Sequence, residues 1–458
     1  MASVNSSFNL SDILSAFSSS QGINVQAAVA AAIAAESGPL NQWEQEQAAL
    51  QSQSGDIGVI ESNITTLQNA LTGLSDPAGA LLSMTSSSSD SNVLTATVAP
   101  GATPGNHVVV VNSVATTGSW YSDSVATGDT ALPTGGFTLQ VGSNAPIQVN
   151  FGSGDAVDTL NQLATYIDGL NAGVTANVVN DGTGARISIV SNSSGAANDV
   201  TISNVTGLNF TRATTGADAA LTVDGIPIDS ASNTVTGVVP GVTFNLVSAA
   251  PGQQVNISAT VDTNAAEQAV TAFVNAYNAV VGNVNQEYTV GANGAQGPLG
   301  GDSTLGILQD MLLGTGSYSD GSTSGIATLA DLGITMNNDG TLTVDNGTLD
   351  SALQNNFSAV QTFFQGTASN GFANTLSTQL NTMTDPTSGA FTVDLQSINS
   401  ENTDLQNQIN DFQAYLATQA TLLTAEYNQA DALLQQLPIE EQRIAAELGQ
   451  TSNNNTGG

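Results

Sequence analysis

The chain has no cysteine and no lysine, and in 458 residues its only basic side chains are Arg186, Arg212, Arg443 and His107. Each absence closes off a chemistry. Without cysteine there is no thiol nucleophile, no thiolate metal site and no disulfide. Without lysine there is no phosphate loop ending in Gly-Lys-Ser/Thr and no Schiff base. Against those few cations stand 38 acidic residues, for a formal net charge of −35. A polymer this negative repels phosphate backbones and anionic lipid, so nucleic-acid binding is excluded and attachment to an anionic membrane surface is disfavoured. The one histidine sits in the strand-like run His107-Val108-Val109-Val110-Val111, which reads as a sheet-surface residue and not as a catalytic base or metal ligand.

No enzyme, cofactor or metal site is therefore expected. A carboxylate-pair hydrolase is the one catalytic reading that the composition leaves, and among 38 acidic residues pairs approach by chance. The first twenty residues are rich in Ser and Asn, with neither a basic n-region nor a long apolar h-region, so no secretory signal is read. The longest apolar stretch near the start, Ala27 to Ala35, is too short to cross a bilayer, and membrane insertion is not expected. The apolar fraction of 40% is ample for a core, and the length suits two to four domains.

What is present reads as helix at both ends around a β-rich middle. Trp43, Leu50, Ile57, Ile60, Ile64, Leu67, Leu71 and Leu74 are spaced by three, four or seven, the stripe of one helix, which Asp76-Pro77 ends. From about Ser83 to Asp262, short β-branched runs alternate with turn signals such as Pro104-Gly105, Asp181-Gly182, Asp224-Gly225 and Pro251-Gly252. One amphipathic helix, about Ala156 to Leu170, interrupts them. Helix returns at Asn264 with Val270, Phe273, Val274, Tyr277, Val280, Val281 and Val284 on its buried face, and again around Leu305 to Leu313. A hairpin is expected at Ile334 to Met336 and Leu342 to Val344; its acidic loop is read as a turn, because Thr335 and Asn346 stand where a calcium loop needs Asp and Glu.

The clearest periodicity is C-terminal. Phe391, Leu395, Ile398, Leu405, Ile409, Phe412, Leu416, Leu423, Tyr427, Leu434 and Leu437 fit one seam, with Asn402, Ala420 and Ala430 in its gaps. Such a seam predicts a coiled coil, with a stutter at Phe412-Leu416-Ala420 and a break at Pro438. The expected fold class is α+β multidomain: terminal α-helices forming a helical, coiled-coil leg, with inserted antiparallel β-rich domains. The expected boundaries are a mobile segment 1–39, a helical leg 40–82 and a β-rich head 83–262 split near 118 and 218. Then come a second part of the leg domain with a small hairpin (263–385), a coiled-coil helix 386–437 and a mobile end 438–458.

Several motifs then resemble one family. Gly22-Ile23-Asn24-Val25 followed by Ala35-Glu36-Ser37-Gly38-Pro39-Leu40, the run Ala102 to Ala115, and Tyr166 to Val178 are similar to segments of the flagellar filament-capping family, hook-associated protein 2. So, in the same order, are Val223-Asp224-Gly225, Ser232-Asn233-Thr234-Val235, Gly241 to Leu246, and Phe273-Val274-Asn275-Ala276-Tyr277-Asn278. Leu299-Gly300-Gly301-Asp302-Ser303 and Leu332-Gly333-Ile334 with Asp339-Gly340-Thr341-Leu342 complete the series. The resemblance runs from about Gly22 to Leu437. It departs from the family where basic residues usually fill the C-terminal helices, since only Arg443 remains there.

The resemblance implies a structural cap at the distal tip of a bacterial flagellar filament, exported through the flagellum's own channel. It implies a ring-like homo-oligomer whose further partners are flagellin, the hook–filament junction protein and a flagellar export chaperone. An adhesin or glycan-binding surface protein using the β-rich head is the alternative. Trp43, Leu50, Ile64, Leu67, Leu405, Ile409, Phe412 and Leu416 are the residues expected to pack and assemble the leg. The charge adds one expectation: acid carries this chain toward neutrality and not toward a large positive charge, which suits a source living in acid.

Overall fold

The computed structural model of the chain describes residues 24–152, 154, 156–292, 294–321, 325–367 and 370–453. They fall into two compact units. A helical unit takes the described residues up to Thr72, those from Ala272 to Asn346, and those from Asn370 onward. A β unit takes Gly73–Thr271 and the described residues from Gly347 to 367.

In the helical unit, α1 (Val25–Glu36) opens under an Asn24 cap, whose side chain accepts from the Ala27 N–H. This helix lies inside the segment expected to be mobile. It is an alanine-rich helix, and Ala28 and Val29 are buried where it packs on the C-terminal helix; small side chains let the two backbones approach. Residues 1–23 lie outside the described residues. Helix α2 (Gly38–Ser75) comes next, and its stripe of Ile57, Ile60, Ile64, Leu67 and Leu71 is almost wholly withdrawn from water. Each such side chain contributes about 1.5–3 kcal/mol.

Helix α3 (Leu160–Gly169) belongs to the β unit, while α4 (Thr263–Tyr288) enters the helical unit at Ala272. There α5 (Ser303–Thr315) starts on Asp302, whose carboxylate accepts from the Thr304 and Leu305 N–H groups. The hairpin is formed by β16 (Ile334–Met336) and β17 (Leu342–Val344). Its loop closes on itself through Asp339, which accepts from the Thr341 N–H and hydroxyl. Helices α6 (Asn346–Asn355) and α7 (Phe357–Gln365) belong almost entirely to the β unit, a departure from the expected 263–385 leg segment. They bury Leu349, Leu353, Val360, Phe363 and Phe364, and Gln365 Nε2 donates to the Asp76 carbonyl (3.1 Å).

Helix α8 (Phe372–Thr384) precedes α9 (Ala390–Asn453), the longest element. The break expected at Pro438 does not occur; the helix continues through it to Asn453. A proline removes one N–H bond from the ladder, but Ile439 to Leu448 is rich in Glu, Ala, Gln and Leu, strong helix formers that carry the helix onward.

The β unit holds two separate cores. The first module pairs a five-stranded antiparallel sheet with a three-stranded one. The five run in the order β1 (Met84–Ser88), β15 (Val255–Val261), β3 (Gly105–Ser113), β11 (Ala219–Val223) and β12 (Ile226–Ser230). The three are β13 (Thr234–Val239), β14 (Val242–Leu246) and β2 (Leu94–Val98). Leu94, Val109, Val111, Leu221, Phe244, Val255 and Ile257 fill the space between them, from strands that alternate buried and open positions. Between β3 and β11 a second module is inserted. Its sheets are β10 (Phe210–Thr214), β4 (Ser119–Ser122), β8 (Ala185–Ser191) and β7 (Val174–Asn180), and β6 (Ile147–Phe151), β5 (Gly135–Val141) and β9 (Val200–Thr206). Leu160, Leu163 and Ile167 of α3 complete a core with Phe137, Phe151, Ile187 and Ile189.

Candidate assembly surfaces

The residues expected to pack the leg separate into two places within the helical unit. Trp43 and Leu50 of α2 meet Leu405 and Ile409 of α9, with Leu40 and Ile398 at the edge of the cluster. Phe412 joins through its ring, edge-on to Trp43 with centroids 5.3 Å apart, and stacks on Tyr415. Gln47 Nε2 donates to Gln406 Oε1 (2.8 Å) beside them, a neutral bond where other helices place ion pairs. Leu416 is buried one turn further along α9. Ile64 and Leu67 are fully buried elsewhere. Near them Asn63 bonds Asn283 of α4, and Gln68 bonds Asn381 and Thr384 of α8. That part of α2 belongs to the core between helices, and Trp43 to Leu50 to the seam with α9.

Two seam features escaped sequence reasoning. Asp394 Oδ2 and Asn402 Oδ1 are buried side-chain oxygens without a hydrogen-bond partner among the described residues. Beyond Leu416, the seam loses its cover: Leu434, Leu437 and Ile444 lie about half exposed, with Leu422, Leu433 and Ile439 beside them. The signal was present, since Leu416, Leu423, Ala430, Leu437 and Ile444 are seven apart.

The motif residues carry scaffold tasks. Asp224 stands at φ +53°, next to Gly225 at +83°, in the tight turn from β11 to β12. Its carboxylate accepts from the Val108 N–H (2.9 Å) and lies 2.8 Å from His107 Nδ1; these bonds, His107 first, hold it below the usual carboxylate range. Asn233 clamps Ala115, accepting from its N–H and donating to its carbonyl. Phe273 stacks edge-on against Phe372, and the Tyr277 hydroxyl donates to the Leu312 carbonyl (2.7 Å) in surroundings whose burial pushes the phenol up. Asn278 pins Leu342 through both its amide oxygen and its nitrogen. Gly333 closes a turn at φ +74°.

Charge is arranged as sparsely as the composition requires. Arg186 pairs with Asp181 (2.6 Å) and Arg212 with Asp199 (2.8 Å), while Arg443 stands 4.0 Å from Glu440 in the open. Hydrogen bonds from Arg186 and then Thr183 hold Asp181 well below the usual carboxylate range. Burial pushes Glu61 upward. Among the described residues no three His, Cys, Asp or Glu side chains are grouped to hold a metal ion. No helix among them is long and apolar enough to cross a membrane.

Terminal helices that share one unit, and a β unit made of a module within a module, define an α+β multidomain protein whose motif residues hold scaffold. Known proteins give the class a family. The profile described as flagellar hook-associated protein 2 N-terminus matches residues 21–118, and that described as flagellar hook-associated protein 2 C-terminus matches residues 216–438. The A-type flagellar hook-associated protein 2 of Pseudomonas aeruginosa is 31% identical over 75% of this chain and 79% of its own. The flagellar hook-associated protein 2 of Escherichia coli K12 is 27% identical over 94% of this chain and 97% of its own. Among solved structures, the D1-D2-D3 domains of the Escherichia coli flagellar cap protein FliD align with a TM-score of 0.61 at 27% identity, covering 75% of this chain and 99% of that one. The chain belongs to the flagellar hook-associated protein 2 family. The stretch between the two matched regions, 119–215, coincides with the inserted β module.

Proposed function

We propose that this chain is a structural cap at the distal tip of the bacterial flagellar filament, where it promotes the folding and insertion of flagellin subunits as the filament elongates. The observation that carries the reading is the family match on both sides of the inserted module, together with a likeness to a solved flagellar cap protein that spans nearly all of that structure. In this reading several copies form a ring and the protein is secreted to the filament tip. Its α2 and α9 helices form a coiled-coil leg held by Trp43, Leu50, Leu405, Ile409, Phe412 and Leu416, while Ile64 and Leu67 anchor α2 in the core between helices. Residues 1–39 and 438–458 dock on the filament. Flagellin, the hook–filament junction protein and an export chaperone are its partners. The exposed apolar face of α9 around Leu434, Leu437 and Ile444 supports an assembly role, because a stripe of that spacing buries itself only against another chain or segment. The mechanism works by shape and apolar contact and calls on no catalytic residue.

Deleting the gene in its source organism tests the reading. Short or missing filaments in electron micrographs, with free flagellin in the medium and recovery on restoring this chain, are the expected result. Filaments of normal length in the deletion strain would overturn it.

A further inference from the structure

The chain passes from the first β module into the inserted one along 114–118 and returns along 215–218. Two strands of tether between separate cores make a hinge unless something else fixes them. Here a third segment does. The loop of the inserted module from Ser191 to Asp199 lies against the tether. Ser191 N–H donates to the Gly118 carbonyl (2.9 Å), Gly195 N–H to the Thr116 carbonyl (3.0 Å) and Ala196 N–H to Asp218 Oδ1 (2.7 Å). Ser194 Oγ reaches the Ala231 carbonyl of the first module (2.7 Å).

Asp199 closes this arrangement. Its Oδ1 accepts from the Gly216 N–H on the return strand (2.7 Å), and its Oδ2 accepts from Arg212 Nη1 (2.8 Å). Arg212 Nη2 donates to the Val200 carbonyl (3.1 Å), which also accepts from Trp120 Nε1 (2.7 Å), and the guanidinium lies over the Trp120 ring, 4.9 Å from its centroid. The packing leaves no room for a side chain at two tether positions, Gly118 and Gly216. A Cβ on Gly118 would lie 2.3 Å from Asp199 Oδ1, and one on Gly216 2.9 Å from Asp199 Cα. Charge makes the placement telling. In a chain with three arginines and no lysine, one arginine stands at this joint, over an aromatic ring and donating from two nitrogens, a task for which lysine is no substitute.

We propose that Arg212 is a positioning residue: acting through Asp199, it locks the inserted module to the first one so that the two move as one body. The inference goes beyond the capping reading and stands whether or not the chain caps a filament. A rigid joint would give the inserted module one fixed direction in every copy of an assembly, whereas a loose one would scatter it.

Because the chain lacks cysteine, two introduced ones are its only labelling sites. Nitroxides on Thr165→Cys in α3 and Thr236→Cys in β13, both exposed positions, report the distance between the modules by pulsed electron resonance in the full chain. The expected distribution is narrow for the parent and broadened at least about twofold by Arg212→Met, with the circular dichroism melt little changed. Arg212→Lys, which keeps the charge and loses the planar fork, should recover only part of the narrowing. A distribution as narrow in Arg212→Met as in the parent overturns the proposal. If Arg212→Met loses its β signal, the isosteric Asp199→Asn decides: broadening there supports the lock, and an unchanged width overturns it.

Discussion

Leu405 and Leu437 stand on the same seam of the same helix, yet one is 6% exposed and the other 55%. The near half of α9 lies against α2, where Trp43 and Leu50 cover it, and α1 packs along part of the same helix; toward the far end the same spacing faces water. The comparison teaches that periodicity determines which face of a helix is apolar, while burial depends on the partner that the fold or an assembly brings to it. It also separates two kinds of importance: the near half holds the unit together, and the far half is free to hold something else.

The largest expected effect breaks the near half. Ile409→Asp sets a charge into the cluster with Trp43 and Leu50 and should cost about 4 kcal/mol or more, visible as a lost or strongly lowered helical melt in circular dichroism. An unchanged melt would remove Ile409 from the packing assigned to it. Next, Leu405→Ala should cost about 2–5 kcal/mol in urea titrations, whereas Leu437→Ala should stay within about 0.5 kcal/mol. Equal costs would show that the two halves are covered alike. Leu437→Asp sharpens the point further: the isolated protein should melt as the parent does but fail to restore filaments in a deletion strain.

A smaller effect comes with pH. Asp181, Asp224, Asp331, Asp339 and Asp385 are all held below the usual carboxylate range, by Arg186, by His107, and by backbone and hydroxyl donors. Their contribution is complete above the ordinary carboxylate value of about 4 and is withdrawn as pH falls through the lowered values. Glu61 works the other way: burial raises it, so protonation relieves a cost as pH falls. Together these should keep the chain folded at pH 4 and place acid unfolding lower, readable by circular dichroism from pH 7 to 2. Loss of structure already near pH 5 would contradict it. The last expected effect is a gain: Asn402→Leu replaces a buried oxygen that lacks a partner among the described residues and should add roughly 1 kcal/mol to the near half of the seam.

Much of this architecture was legible without coordinates. The stripe from Ile57 to Leu74 identified α2, β-branched runs between turn signals marked the β region, and Asp-Gly marked the β11–β12 turn, because these patterns arise from local geometry and the aqueous boundary. The alanine-rich α1 was less legible, since helix formed from small residues shows little stripe. Pro438 misled because its usual effect as a breaker is a tendency, and favourable neighbours outweigh it. Within the candidate surface, the seam residues could be named in advance, but the separation of Ile64 and Leu67 from Trp43 and Leu50 could not, for all four lie on one stripe of one helix.

Sequence by itself determined the excluded chemistry, the polyanionic character, the order of helical and β regions, and the motifs that place the chain in its family. Composition and short-range periodicity decide those, and both are properties of the chain alone. Only the tertiary structure decided that α6 and α7 join the β unit, that the far half of α9 stays open, and that Arg212, Asp199 and Trp120 meet at one joint. Those contacts join residues tens to hundreds of positions apart, and nothing local in the chain records which distant segment will arrive.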